Sequence, residues 1–115
     1  MQNKERKPLT IVEIEPFDRY VGNVMSDQEF AEFKYYIASN PRAGQIIRGT
    51  GGVRKVRWAV GGQGKSGGAR VIYYYHNDDM PLFLLTVYRK SHKLSLSKEQ
   101  RSQIASLVKA LIKKY

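Results

Sequence analysis

The sequence predicts an α+β fold, a small twisted sheet with helices packed on one side of it. Three observations point there. Some segments alternate apolar and polar residues with period two, and others repeat apolar residues at helical spacing. Their order is strand, helix, helix, three strands, helix, which segregates the two kinds instead of interleaving them. The chain has 115 residues, room for one compact domain and too little for two.

Leu9 to Glu15 is β-branched and partly alternating, a first strand. Pro16 suits the first turn of a helix. Phe17, Tyr20, Val21 and Val24 follow at helical spacing, predicting a helix over residues 16 to 24. Ser26-Asp27-Gln28-Glu29 has the form of a capping box. Phe30, Phe33 and Ile37 continue it as a second helix to about Ser39, stopped by Asn40-Pro41. The two helices should form a helical hairpin. Residues 42 to 52 read as a loop. Val53 to Val60 is a strand by propensity, with Lys55 and Arg57 on one face and Arg54, Val56 and Trp58 on the other. Five glycines in residues 61 to 68 make a flexible connection. Ala69 to Tyr75 and Leu82 to Tyr88 are strands joined by the turn-forming His76-Asn77-Asp78-Asp79. A second capping box, Ser97-Lys98-Glu99-Gln100, opens a last helix whose apolar stripe is Ile104, Leu107, Val108, Leu111 and Ile112. Residues 9 to 115 are thus expected to form one domain, with 1 to 8 a flexible tail.

Composition narrows the chemistry. There is no cysteine, which removes disulfides, thiolate ligands and a thiol nucleophile. No apolar run approaches the ~20 residues of a membrane span. The charged N-terminus has no signal core behind it, so a cytoplasmic protein without a membrane partner is expected. The net charge is +10, and it is unevenly spread. Residues 1 to 32 carry four basic and seven acidic side chains, whereas residues 33 to 77 carry eight basic and none acidic. Solvated faces usually mix signs, so a long stretch free of carboxylates points to a polyanionic partner, nucleic acid or an acidic protein.

Three chemistries can be weighed on these residues. Ala59 to Ser66 fits a relaxed phosphate-loop pattern. It is followed by strand instead of the helix whose N-terminal amides complete the cradle, so a mobile basic loop with Lys65 available to a phosphate is the better reading. His76, Asp78 and Asp79 carry donor atoms a metal site would use, but these residues are what a turn requires and no further ligands converge. No metal and no cofactor is therefore expected. The third is a basic, aromatic sheet surface. Lys55 and Arg57 leave one strand together, Arg70 begins the next, Lys90 lies just past the third, and His92 follows. Tyr73, Tyr74, Tyr75 and Tyr88 run through the same region; some serve the core, and others could stack unpaired bases. Metal-free RNA cleavage uses the 2′-hydroxyl as nucleophile. It needs a base, cations on the phosphorane and an acid for the leaving 5′-oxygen. Like charges crowding a lysine favour its neutral form, which makes a lysine base compatible with such a face.

The segment from Gly49 to Trp58, followed by Gly64-Lys65-Ser66-Gly67-Gly68-Ala69-Arg70-Val71-Ile72-Tyr73-Tyr74, closely resembles the HigB branch of the RelE toxin superfamily. Pro81 to Tyr88 and the closing helix after Leu96-Ser97 look like the same family, so the resemblance covers roughly residues 9 to 114. It implies a RelE-like fold, with a mainly antiparallel sheet, an N-terminal helical hairpin and a C-terminal helix. It implies the toxin of a type II toxin–antitoxin system, cleaving mRNA on the ribosome without a metal. Its partners would be a cognate antitoxin, expected to be a helix-turn-helix DNA-binding protein, and the ribosome with its mRNA. Carried over by position, the catalytic cations fall on Lys55, Arg57, Arg70 and Lys90. Lys55 or Arg57 would serve proton transfer, Arg70 the phosphorane, and Lys90 phosphate binding or the leaving group. Relatives usually read Ala-Lys-Asn-Glu-Lys where this chain has Arg89-Lys90-Ser91-His92-Lys93, which keeps the lysine, loses the asparagine and glutamate, and adds His92 as a candidate acid. Arg54, Lys65, Tyr73, Arg89 and Lys93 are the expected RNA contacts. Two other functions stay open on residues alone: a ParE-like gyrase inhibitor on the same scaffold, and a basic RNA-binding module without catalysis.

Overall fold

The computed structural model describes residues 7–62, 68–91 and 96–115. The elements are β1 (Ile11–Glu13), α1 (Glu15–Tyr20), a 3₁₀ turn (Val21–Asn23), α2 (Asp27–Ser39), β2 (Gln45–Ile46), β3 (Arg54–Trp58), β4 (Ala69–Tyr74), β5 (Leu82–Arg89) and α3 (Lys98–Lys114). They form a five-stranded sheet in the order β1-β5-β4-β3-β2. The pair β1–β5 is parallel and the other three pairs are antiparallel. This is the expected α+β architecture.

The helices do not all lie on one side. Phe17, Val24, Phe33 and Ile37 pack with Val71, Tyr73, Leu82, Leu84 and Val87 on one face of the sheet. Val108, Leu111 and Leu96 pack with Ile72, Tyr74, Phe83 and Leu85 on the other. The reason lies in β4 and β5. Every residue of β4 is buried, and so are six of the eight in β5, so these strands need an apolar layer on both faces. We call the two sides the α1/α2 face and the α3 face.

Both long helices begin as their sequences predict. Ser26 Oγ accepts from Glu29 N–H at 3.1 Å, and Glu29 accepts in return from Ser26 N–H at 2.8 Å. Ser97 and Gln100 repeat the arrangement at the start of α3. Helix α1 is shorter than its periodicity suggests. It ends at Tyr20, and Gly22-Asn23, both poor helix formers, lie in the 3₁₀ turn. Within residues 42 to 52, read as loop, Gln45 and Ile46 pair with Lys55 and Arg54 as a short edge strand. Close approach fixes the residue ahead of it. A Cβ on Gly44 would lie 2.8 Å from the Lys55 carbonyl oxygen and 2.9 Å from the Tyr73 ring, so only glycine fits.

One irregularity sets the phase of β5. Tyr73 pairs with Leu84 and Ile72 with Thr86, leaving Leu85 as an extra residue. This β-bulge shifts the alternation beyond it. Without it, period two from Phe83 and Leu85 would bring Val87 to the α3 face; with it, Val87 joins the α1/α2 core and Tyr88 joins the α3 side.

Candidate RNA-cleaving face

Strand register brings the cations together. Arg57 of β3 pairs with Arg70 of β4, which pairs with Tyr88 of β5. Directly opposed residues project to the same side, so the three make one row across the α3 face. The neighbouring row is Lys55, Ile72 and Thr86. Lys55 therefore sits two residues along β3 from Arg57, about 6–7 Å away by strand geometry. Lys90 follows β5, its N–H donating to the Gly68 carbonyl at 3.1 Å, with an exposed side chain.

These cations differ in burial. Arg57 is exposed and Lys55 half-buried, whereas Arg70 is only 6% exposed. Arg70 Nη1 donates to the Ala69 carbonyl at 3.3 Å. Burial pushes the Tyr88 phenol above the ordinary tyrosine pKa, and the Arg70 charge beside it works in the opposite direction. Among the described residues, the ion pairs join Arg19 to Glu15 and Lys34 to Glu13, far from this row in sequence and none involving Lys55, Arg57 or Lys90. The arrangement holds donors and positive charge on a sheet face, which is what stabilisation of a phosphorane requires.

The other expected RNA contacts are elsewhere. Arg54 pairs with Tyr73 across β3–β4, on the α1/α2 side. Its Nη1 donates to the Gly44 carbonyl at 2.8 Å, a structural role. Tyr73 is 0% exposed; its hydroxyl donates to the Pro41 carbonyl and accepts from Gly44 N–H, both at 2.8 Å. No surface of this ring is open to a base, so the stacking role expected of Tyr73 is corrected to core packing. Tyr74, Tyr75 and Tyr88 are buried as well. Arg89 pairs with Ala69 and turns to the α1/α2 side, where it attracts the Glu29 carboxylate. Lys65, His92 and Lys93 lie outside the described residues.

The candidate phosphate loop lies between β3 and β4, and its residues 63 to 66 fall outside the described residues. His76 and Asp78 are engaged locally. His76 Nδ1 shares a 2.8 Å hydrogen bond with the Tyr74 hydroxyl, the Tyr75 hydroxyl donates to Asp78 at 2.6 Å, and Asp79 N–H donates to the Asn77 side chain. Among the described residues no three His, Asp or Glu side chains come together as a metal site would need.

The chain matches, over residues 16–114, the family described as RelE toxin of the RelE/RelB toxin–antitoxin system. It belongs to the RelE toxin family. A RelE toxin has a cognate antitoxin as its partner, so this chain is the toxin half of such a pair. Among the described residues no helix is long and apolar enough to cross a membrane.

Sequence reasoning missed two residues here. Tyr88 was visible as an aromatic but not as the third member of the Arg57–Arg70 row, because the bulge at Leu85 decides its face. Glu29 was visible as a capping residue, yet its second oxygen accepts from Gly61 N–H at 2.8 Å, a contact 32 residues distant that no local pattern announces.

Proposed function

We propose that this RelE toxin is a ribosome-dependent, metal-independent mRNA endoribonuclease of the HigB branch, inhibiting translation in the cytoplasm and held in check by a helix-turn-helix antitoxin. The observation that supports it is the convergence of Lys55, Arg57 and Arg70 on one sheet face, with Arg70 buried between neighbouring strands. A gyrase inhibitor on this scaffold would have no use for such a row.

In the proposed reaction the 2′-oxygen of one nucleotide attacks the adjacent phosphorus. A new 2′-O–P bond forms and the P–5′-O bond breaks, leaving a 2′,3′-cyclic phosphate and a 5′-hydroxyl. The 2′-hydroxyl proton passes to the Lys55/Arg57 pair. Arg70 stabilises the extra negative charge on the phosphorane. Its burial keeps its charge poorly screened, so it acts more strongly than a solvated arginine. Lys90 binds phosphate or assists the leaving 5′-oxygen, and His92 is the candidate acid that returns a proton to it.

The test is to add the purified chain to a cell-free translation reaction and map 5′ ends of a reporter mRNA by primer extension, with the same RNA lacking ribosomes as control. New ends inside the coding frame, seen only with ribosomes, are expected. Ends in both reactions would make it a free ribonuclease. No ends from folded protein would favour a gyrase inhibitor or an RNA-binding module. Arg70→Ala should lower cleavage by about 10²–10³-fold, the usual cost of removing one oxyanion donor; full activity would refute the site.

A further inference from the structure

The two capping boxes of this chain differ in one residue, and the difference isolates an atom. At α3 the residue reaching back is Gln100, whose single carbonyl oxygen accepts from Ser97 N–H at 2.9 Å. An amide is therefore sufficient for capping here. At α2 the same position holds Glu29. Its Oε1 accepts from Ser26 N–H, as the amide does, and its Oε2 takes no part in the cap. That second oxygen accepts from Gly61 N–H at 2.8 Å.

Gly61 lies at a sensitive place. The β3–β4 ladder ends at the pair Trp58–Ala69, one step beyond Arg57–Arg70. Terminal pairs of a ladder fray unless the chain beyond them is held. Two anchors hold the β3 side: Val60, buried in the α1/α2 core, and the Glu29–Gly61 hydrogen bond. Gly61 and Gly62 follow with φ of +55° and +77°, a bend that glycine adopts at little cost. On β5, Arg89 lies in the same cross-strand row as Trp58 and Ala69 and is attracted to the same carboxylate. The backbone N–H groups of Ser26 and Gly61 hold the Glu29 carboxyl below the usual carboxylate range.

We propose that Glu29 is a positioning residue for the cationic row: one oxygen caps α2 while the other fixes the start of the β3–β4 connection and so sets how Arg57 and Arg70 are presented. This rests on the nuclease reading above. Small displacements of groups that act only in the transition state lower turnover more than substrate binding.

Glu29→Gln separates the two jobs. It keeps one carbonyl oxygen for the cap and replaces the other by an NH₂ group, which cannot accept from Gly61. In the full-length protein, amide exchange of Gly61 should accelerate about ten-fold while that of Ser26 stays within about two-fold. On mRNA-programmed ribosomes, kcat should fall about ten-fold with KM within about two-fold. Ser26→Ala is the control, since it weakens the cap and leaves the Gly61 bond; it should melt earlier and keep its kcat. Unchanged Gly61 exchange in Glu29→Gln overturns the tether. Faster Gly61 exchange with unchanged kcat overturns the positioning role. An equal loss of kcat in Ser26→Ala also overturns it, because general destabilisation would then account for both. If the wild-type chain cuts nothing, the nuclease reading falls and the catalytic half of the proposal with it, while the exchange comparison still reports on the tether.

Discussion

Replacing Tyr73 by Phe separates a core role from an RNA-binding one. The ring keeps its place in the α1/α2 core and only the hydroxyl is lost. That hydroxyl joins two backbone groups at 2.8 Å, the Pro41 carbonyl and the Gly44 N–H, at positions that are both buried. Each buried polar group left without a partner costs about 1–3 kcal/mol. The two together give about 2–6 kcal/mol, the lower figure applying if the loop relaxes around Arg54, which still holds the Gly44 carbonyl. For a domain of this size that is a fall in Tm of about 8–24 °C. Thermal melts by circular dichroism would measure it. Cleavage assayed well below the melting range should be unchanged per folded molecule. A melt within about 2 °C of wild type would show that the hydroxyl bridge contributes nothing. Normal stability with lost cleavage would put the ring in contact with RNA and refute the burial argument.

Arg57 and Arg70 oppose each other across β3–β4. Like charges in that relation destabilise a sheet by about 0.2–1 kcal/mol, and threonine is a good strand residue. Arg57→Thr should therefore melt at or above the wild-type temperature while losing at least about ten-fold in cleavage; a clear fall in Tm would sink the like-charge reading. Burial raises the pKa of Tyr73, Tyr74 and Tyr88. A raised folded-state pKa favours the neutral phenol in the native protein, so that stability is complete below about pH 10 and is lost as pH rises above it. Absorbance titration should find these phenols ionising late, close to alkaline unfolding. Tyr88→Phe should make the fall above pH 10 shallower, and stability rising through that range would contradict the sign.

How much of this was legible depends on whether the signal was local. The capping boxes at Ser26 and Ser97 were readable because the partners lie three residues apart. The facing of Lys55 and Arg57 away from Arg54 was readable from period two alone, and register then delivered Arg70 to the same side. The second helical layer was not read, although the unbroken apolar runs of β4 and β5 contained it: a strand with no polar face cannot leave one side to water. The strand at Gln45–Ile46 is two residues long with both exposed, too short for any period to show. Residue type makes Tyr73 and Arg54 candidate RNA contacts, since it says what a side chain can do; burial removes Tyr73. Which backbone it meets, here Pro41, Gly44 and Arg42, is a long-range fact.

The Arg57–Arg70 pair is the place where local rules and function part company. Every other feature of β4 favours a quiet sheet: apolar and aromatic residues, a continuous ladder with β3, and apolar layers on both sides. Against that background two guanidinium groups face one another, one of them buried, on a chain with carboxylates to spare in its first 32 residues. A carboxylate at either position would have made a favourable cross-strand pair. It would also have neutralised the charge that a phosphorane needs. Glu29 shows where such a carboxylate is used instead. It stands on the opposite face with Arg89, bonded to Gly61 just beyond the end of the same ladder. Negative charge thus stands on the α1/α2 side, where it can brace the strands, and the positive row of the α3 face is left unneutralised for the proposed reaction.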